Sequence, residues 1–246
     1  MNSTVYNLQE QSESFYPALV TQKRALRLLA IFAHPDDEIA CIGSLAKHVR
    51  QGGEAKLVWL TRGELASQFG NTAPQEVATI REMHGRWVGN AIGCDYSFLS
   101  FPDSGLTGGR DEALSLAKLI ADWKPDRVIT WNPFDVHPDH RACYWATLSA
   151  LKLCRIPKLV GTPHRKPVKL YHYVHQDLNR PVVHVDVSET MAITEQVYSF
   201  YQQVYAWNWT VENLRESRKL MGKELGFHFA EKFQEVNLVA VEGLPA

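Results

Sequence analysis

Short apolar runs alternate with amphipathic stretches over the first two thirds of the chain. Four apolar runs of strand length occupy residues 25–33, 55–60, 95–101 and 127–131. Each is followed by a stretch whose apolar residues recur at helical spacing, at 38–51, 75–91, 111–123 and 138–153. Four strand–helix units in series predict an α/β fold that is Rossmann-like, with a mostly parallel sheet and helices on both faces.

The last third of the chain has a less regular pattern. Residues 155–167 contain three prolines and a glycine, and we expect them to form a loop. Strands are predicted at 168–175 and 182–187, and helices at 188–205 and 210–225. Because no stretch resembles a linker, residues 1–246 are predicted to form a single domain, with residues 1–24 as an N-terminal arm.

Composition narrows the class of protein. The 246 residues are 45% hydrophobic and 22% charged with a net charge of −1, so no basic surface indicates a nucleic-acid or membrane partner. No apolar run approaches the roughly 20 residues of a membrane span. The four cysteines form no CxxC pair and have mostly apolar neighbours. We therefore expect a cytoplasmic enzyme whose cysteines are buried thiols.

An unusual polar cluster follows the first strand. His34, Asp36, Asp37 and Glu38 lie within five residues at a strand-to-helix junction, where α/β proteins bind ligands. The dipole at a helix N-terminus favours acidic residues, which accounts for one or two of them. It does not account for an imidazole beside three carboxylates, so we interpret the cluster as part of a functional site.

A second cluster, His137-Pro138-Asp139-His140, follows the fourth strand. Parallel strands deliver their carboxyl ends to the same edge of a sheet, so the two clusters are expected to meet there. Two histidines and one aspartate form a common catalytic zinc set with an open fourth position. The remaining polar groups could supply a general base, a general acid and residues that orient the ligands.

These motifs resemble those of the LmbE / PIG-L family of zinc-dependent N-deacetylases. The resemblance rests first on Ala33-His34-Pro35-Asp36-Asp37-Glu38 after the first strand and on the later His-Pro-Asp-His. Further stretches that fit the family are Leu60-Thr61-Arg62-Gly63-Glu64, Arg81 with Ile92-Gly93, Phe101-Pro102-Asp103-Ser104-Gly105-Leu106, Lys124-Pro125-Asp126 and Ala230-Glu231-Lys232-Phe233. The resemblance therefore covers roughly residues 25–235.

The resemblance implies a role for each matching position in the metal site. His34, Asp37 and His140 would bind zinc, or another divalent metal such as Fe²⁺. Asp36 would act as the general base for the attacking water. His137 would be cationic, polarising the amide oxygen and protonating the leaving amine.

Three further roles follow from the same resemblance. Asp139 would orient His137, and Arg81 and Asp103 would lie near the hydroxyl groups of a sugar. Residue types alone leave blander interpretations open: Asp139 could be an acid favoured at a helix start, Arg81 a solvated helix residue, and Asp103 a turn cap.

The expected reaction is zinc-dependent hydrolysis of an N-acetyl amide on a small amino sugar, sugar conjugate or related amine. Two alternatives stay open at this point. One is another metal-dependent hydrolase, acting on an ester, phosphate or glycosidic bond. The other is a non-catalytic, metal-stabilised binding protein, although a closed structural zinc site would need neither Asp36 nor His137. The expected partner is a small N-acylated molecule, and self-association into a homo-oligomer is also predicted.

Overall fold

The computed structural model describes residues 24–176, 178 and 180–236. The predicted N-terminal arm, residues 1–24, lies outside these residues except for Arg24. The prediction of a single domain includes both chain ends and stays a prediction.

The structure contains seven strands and seven helices within the described residues. The strands are β1 (Arg27–Phe32), β2 (Glu54–Trp59), β3 (Asp95–Phe98), β4 (Arg127–Thr130), β5 (Lys169–Tyr173), β6 (Val182–Asp186) and β7 (Ala230–Glu235). The helices are α1 (Ile42–Arg50), α2 (Pro74–Ile92), α3 (Arg110–Trp123), α4 (Pro138–Leu153), α5 (Pro157–Val160), α6 (Met191–Tyr205) and α7 (Val211–Lys223). A 3-10 turn, Asp37–Ala40, separates β1 from α1.

Two elements differ from the sequence-based expectation. The single-turn helix α5 interrupts the predicted loop at 155–167, where Pro157 occupies its first position, a place at which proline costs no hydrogen bond. Strand β7 was not predicted, because Ala230–Glu235 is largely polar in sequence. It is buried through pairing with strands on both sides rather than through a hydrophobic pattern of its own.

The seven strands form one sheet in the order β3-β2-β1-β4-β5-β7-β6. Strands β1 to β5 pair in parallel, and β7 alone runs antiparallel to its two neighbours. The chain first builds outward from β1 to β3 and then returns to place β4 on the other side of β1. The loops after β1 and β4 therefore diverge at the point where strand order reverses, and open α/β sheets bind ligands in that crevice.

Helices cover both faces of the sheet, as predicted. Alternate residues of β1 face opposite sides: Leu28, Ala30 and Phe32 join the core under α1, α2 and α6, whereas Leu29 and Ile31 join the core under α3 and α4. This central strand is apolar on both faces because both faces are buried. Among the described residues, no helix is both long and apolar enough to cross a membrane.

Candidate active site

The two polar clusters meet at the carboxyl ends of β1 and β4. His34 and Asp37 follow β1, and His137 and His140 occupy the start of α4. The ring centres of His34 and His140 are 5.4 Å apart, although the residues are far apart in the chain. The predicted meeting of the two motifs is therefore observed.

Asp37 lies between two of the histidines. Its Oδ1 atom is 3.2 Å from Nε2 of His140, and its Oδ2 atom is 3.7 Å from Nδ1 of His34. Oδ2 also accepts hydrogen bonds from the backbone amides of Ala33 and His34 and from the indole Nε1 of Trp131. Despite its burial, the positive charge of His140 holds the pKa of Asp37 well below its usual range.

His140 is fixed on both sides of its ring. Its Nδ1 lies 2.8 Å from Oδ1 of Asp135, which leaves Nε2 facing Asp37. The indole of Trp131 stacks on the ring with a centroid distance of 3.8 Å. Burial opposes the charge on His140, but the neighbouring carboxylates of Asp37 and Asp135 raise its pKa to about 9.

His34 is surrounded by carboxylates. Its Nε2 lies 3.1 Å from Oδ1 of Asp103 and 3.4 Å from Oδ2 of Asp139. Burial opposes the charge on this imidazole, yet its hydrogen bonds with Asp103, Asp139 and Asp37 raise its pKa to about 12. The three carboxylates therefore favour positive charge at this position.

Asp139 has a different position from the one the resemblance implies. Its carboxylate is fully buried, accepts hydrogen bonds from the backbone amides of Ser104 and Leu106, and contacts His34. With His137 it shares only a hydrogen bond from its own backbone amide to the ring. The carboxylate thus supports His34 and the loop after β3, and does not orient the ring of His137 directly.

His137 caps the N-terminus of α4. Its Nδ1 accepts a hydrogen bond of 3.2 Å from the backbone amide of Asp139, so the proton of the neutral ring lies on Nε2. Its ring centre is 4.9 Å from that of His34 and 4.6 Å from that of His140. Partial burial and these neighbouring imidazoles lower its pKa. In its neutral form the ring would donate through Nε2, and the cationic form implied by the resemblance stays a prediction.

Asp36 has a strained backbone with φ of +134°, a region that only glycine adopts easily. The guanidinium of Arg81 holds both this residue and its neighbour: Nη2 donates to the carbonyl of Pro35 and lies 3.2 Å from Oδ2 of Asp36. Burial raises the pKa of Asp36 to about 6, against the lowering effect of Arg81. A carboxylate with a pKa near neutrality suits a general base.

Glu38 supports the same strained segment through a hydrogen bond to its backbone. It is fully buried, and it accepts hydrogen bonds from the backbone amide of Asp36, from Nε1 of Trp59 and from the hydroxyl of Tyr201 at 2.6 Å. Burial raises the pKa of Glu38 to about 7. Through the hydrogen bond to the backbone amide of Asp36, Glu38 supports the loop after β1.

Arg81 is more deeply buried than we expect for a residue that contacts the hydroxyl groups of a sugar. The residue is 3% exposed, lies behind Asp36 and packs on the ring of Tyr205 at 5.1 Å. The two residues expected near the substrate therefore contact different parts of the site. Arg81 contacts the candidate base Asp36, and Asp103 contacts the candidate ligand His34.

Two groups of side chains in the described part of the chain could each hold a metal ion. The donor atoms of His34, His137 and His140 lie within 4.8 Å of one another, as do those of His34, Asp103 and Asp139. The set predicted from sequence, His34, Asp37 and His140, is not one of these two groups and stays a prediction, although Asp37 contacts both histidines. Nitrogen and carboxylate donors around an excess of negative charge are suited to zinc and similar divalent metals.

An open cavity of about 570 Å³ begins at these groups. Asp36, Asp37, Trp131 and His140 line one part of it. The remainder is formed by the 3-10 turn after β1 and by residues of the C-terminal third of the chain: Ile39, Ala40, Tyr173, Val174, Trp207, Arg218, Met221 and Lys232. The volume is in the usual range for a small-molecule site.

Comparison with known proteins identifies the family. The family model described as PIG-L, GlcNAc-PI de-N-acetylase, matches residues 29–151, which is half of the chain. The chain belongs to the PIG-L family. A diacetylchitobiose deacetylase of Thermococcus kodakarensis is 24% identical over 220 residues, which cover 83% of this chain and 81% of the relative.

Solved structures agree on the fold of this PIG-L protein. A conserved protein of Thermus thermophilus is 29% identical, with a TM-score of 0.75 over 90% of this chain and all of its own. The hydratase GalB of Pseudomonas putida has the same TM-score at 16% identity, covering 89% of this chain and 100% of its own. Since the second protein is named a hydratase, the fold alone does not determine the reaction.

Several residues of the PIG-L site were not predicted. Asp135 and Trp131 fix His140, and Tyr201 supports Glu38. Asp135 had a local signal, because it precedes His137 by two residues and accepts its backbone hydrogen bond, as aspartates before a helix often do. Tyr201 had none, since it reaches Glu38 from α6, 163 positions away.

Proposed function

We propose that this protein is a metal-dependent N-deacetylase, hydrolysing an N-acetyl amide on a small amino sugar, sugar conjugate or related amine. One observation carries the proposal. His34 and His140 each direct one ring nitrogen at Asp37 and have the other nitrogen against a carboxylate. Metal-binding histidines are held in this way, because the second contact fixes both the tautomer and the ring orientation.

His34, Asp37 and His140 are therefore proposed as the metal ligands, with zinc as the metal. Fe²⁺ would fit the same donors. When bound, such an ion lowers the pKa of water and polarises a carbonyl oxygen. The site suits a divalent cation because His34 alone contacts three carboxylates, those of Asp37, Asp103 and Asp139.

Asp36 is proposed as the general base. Its carboxylate lines the cavity beside Asp37, and its pKa of about 6 leaves it ionised at neutral pH. It would take a proton as water attacks the acyl carbon, and would return that proton to the departing nitrogen as the C–N bond breaks. The products are acetate and a primary amine.

His137 is proposed to stabilise charge on the acyl oxygen. Its Nδ1 accepts the cap hydrogen bond, so the Nε2–H group is the one available to a substrate. A donor held in place by the start of a helix needs no reorientation when the oxygen becomes negative. Asp139 acts on this step indirectly, through the α4 backbone and through its contact with His34.

The acyl and sugar parts of the proposal rest on the relatives. The matching family model is described as GlcNAc-PI de-N-acetylase, and the relative in Thermococcus kodakarensis is named a diacetylchitobiose deacetylase. The cavity of about 570 Å³ can hold a sugar of one or two rings. The cytoplasm is the proposed location, supported by four unpaired and buried cysteines. Self-association stays a prediction.

The test is release of primary amine from N-acetylated sugars and sugar conjugates by zinc-loaded protein. Chelator-sensitive release would support the deacetylase. Hydrolysis of an ester, phosphate or glycosidic bond releases no amine, so the same assay separates those rival reactions. One metal per chain without turnover on any amide, ester, phosphate or glycoside would favour a non-catalytic binding protein.

A further inference from the structure

The cavity that reaches the candidate metal ligands also carries two cations. Arg218 of α7 and Lys232 of β7 line it together with Asp36, Asp37 and His140. In the described part of the chain, the two aspartates are the only acidic residues that line this cavity, and both belong to the catalytic site. The carboxylates nearest the two cations, Glu231 and Glu224, do not line the cavity.

Arg218 is buried with most of its hydrogen-bonding capacity unused. The residue is 6% exposed, and Nη2 donates to the carbonyl of Ile39 at 3.2 Å. Nη1 has only the thioether of Met221, at 4.0 Å. Among the described residues, its Nε has no hydrogen-bond partner. A guanidinium offers five N–H donors, so a buried one with a single oxygen acceptor carries an uncompensated cost.

The nearest carboxylate does not fill this need. Glu231 lies 4.0 Å from Nε of Arg218, beyond hydrogen-bond distance. Its two oxygens already accept from the backbone amides of Gly43 and Ser44 and from the hydroxyl of Ser44. Glu231 thus serves the N-terminus of α1, and Arg218 keeps donors for another acceptor.

Lys232 is held only weakly. Its Nζ lies 3.4 Å from Glu224, whose side chain is 68% exposed. Exposed ion pairs of this kind contribute little to stability, so the ammonium can exchange this partner for a ligand at small cost.

We propose that the substrate of this enzyme is an acylated amine that also carries an anionic oxygen group, a carboxylate or a phosphate, and that Arg218 and Lys232 bind that group. The inference rests on the deacetylase function proposed above, since it assumes that the acyl group meets Asp36. Arginine and lysine bind such oxygens through charge-assisted hydrogen bonds. A neutral sugar would offer no charged acceptor to Nε and Nη1 of Arg218, which have no oxygen acceptor among the described residues.

The test compares matched substrates on the zinc-loaded, full-length protein. N-acetylglucosamine is the neutral substrate, N-acetylglucosamine 6-phosphate the phosphate arm, and N-acetylmuramic acid the carboxylate arm. We expect kcat/KM for at least one anionic arm to exceed the neutral value by about tenfold or more, since a hydrogen bond to a charged group is worth that much. The arm that gains identifies the anionic group.

Variants locate the effect. Lys232→Met should raise KM for the preferred anionic substrate by about tenfold more than for the neutral one, and Lys232→Arg should restore the preference. Lys219→Met is the matched control, because Lys219 lies on α7, is 63% exposed and does not line the cavity.

The outcomes separate the two proposals. Equal kcat/KM for neutral and anionic substrates would overturn the anionic subsite and leave the deacetylase intact. If no acetylated sugar is hydrolysed, binding of the amines glucosamine and glucosamine 6-phosphate decides the subsite by calorimetry. Tighter binding of the phosphate, lost in Lys232→Met, would support the subsite while the deacetylase fails. Equal or no binding would overturn the subsite.

Discussion

The two parts of the chain contribute different things to one site. Residues 29–151, the part that the family model matches, carry every proposed catalytic and metal-binding group. The chain after α5 contributes no such group, yet it forms much of the cavity. It also supports the catalytic loop through Tyr201, which contacts Glu38, and the start of α1 through Glu231. The chemistry thus belongs to the shared part, and substrate choice is expected to belong to the C-terminal part.

The largest effect should come from the shared part. Asp36→Asn removes the proposed base, and we expect turnover to fall by roughly a hundredfold or more. Metal content should not change, because Asp36 is not a proposed ligand. Turnover and bound metal should be measured on the same sample.

Asp122→Asn on the exposed face of α3 is the matched control and should leave both quantities unchanged. Unaltered turnover in Asp36→Asn would remove the role of base from that residue.

Asp135→Asn should weaken metal binding rather than catalysis itself. The carboxylate holds Nδ1 of His140 at 2.8 Å, and loss of such an orienting partner typically costs about 10–100-fold in metal affinity. Competition with a chelator of known affinity measures the change. Wild-type affinity in this variant would show that His140 does not depend on Asp135, and would weaken its assignment as a ligand.

Arg81 contacts Asp36 in the structure, whereas the sequence-based expectation placed it at the substrate. Its charge lowers the pKa of Asp36, so Arg81→Met should raise that pKa and move the acid limb of the kcat/KM profile to higher pH, by roughly one to three units. In the wild type this limb should lie near pH 6, below which Asp36 is protonated and activity is lost.

Arg81→Lys retains the charge and should move the limb less. A rise in KM with an unmoved limb would instead favour the contact with substrate that the family resemblance implies for this position.

The smallest expected effect concerns stability and comes from the junction of the two parts. A Cβ at Gly43 would lie 2.8 Å from Cβ of Val187 and 3.0 Å from Oε1 of Glu231. Gly43→Ala should therefore lower the free energy of unfolding by about 1–3 kcal/mol, as overpacking does. Denaturant unfolding measures it, and an unchanged midpoint would show that α1 and β7 are not tightly joined.

Local sequence signals predicted the shared part well. The apolar runs and helical spacing marked β1 to β4 and α1 to α4 within a few residues, since those elements bury their own apolar faces. The meeting of His34 with His140 followed from parallel topology alone. Strand β7 was not accessible, because it depends on pairing with β5 and β6 rather than on its own pattern. The roles of Tyr201 and Arg218 were not accessible either, because each depends on a partner more than a hundred positions away.

The sequence also did not predict the contacts that each side chain of the second motif makes. The motif His137-Pro138-Asp139-His140 predicted that these residues lie at the carboxyl edge of the sheet, but not which of their atoms face each other. The carboxylate of Asp139 accepts hydrogen bonds from backbone amides of the loop after β3. This contact depends on the folded position of that loop and has no signal in the local sequence. His137 uses Nδ1 as a helix cap, which the sequence alone did not show.

Metal stoichiometry and affinity test the central claim most directly, namely that His34, Asp37 and His140 form the metal site. They should be measured on the wild type, on Asp37→Ala and on Asp103→Ala. We predict one divalent ion per chain in the wild type, loss of binding in Asp37→Ala, and a drop of only about 10–100-fold in Asp103→Ala, whose carboxylate orients His34. Wild-type affinity in Asp37→Ala, or a greater loss in Asp103→Ala, would contradict the account.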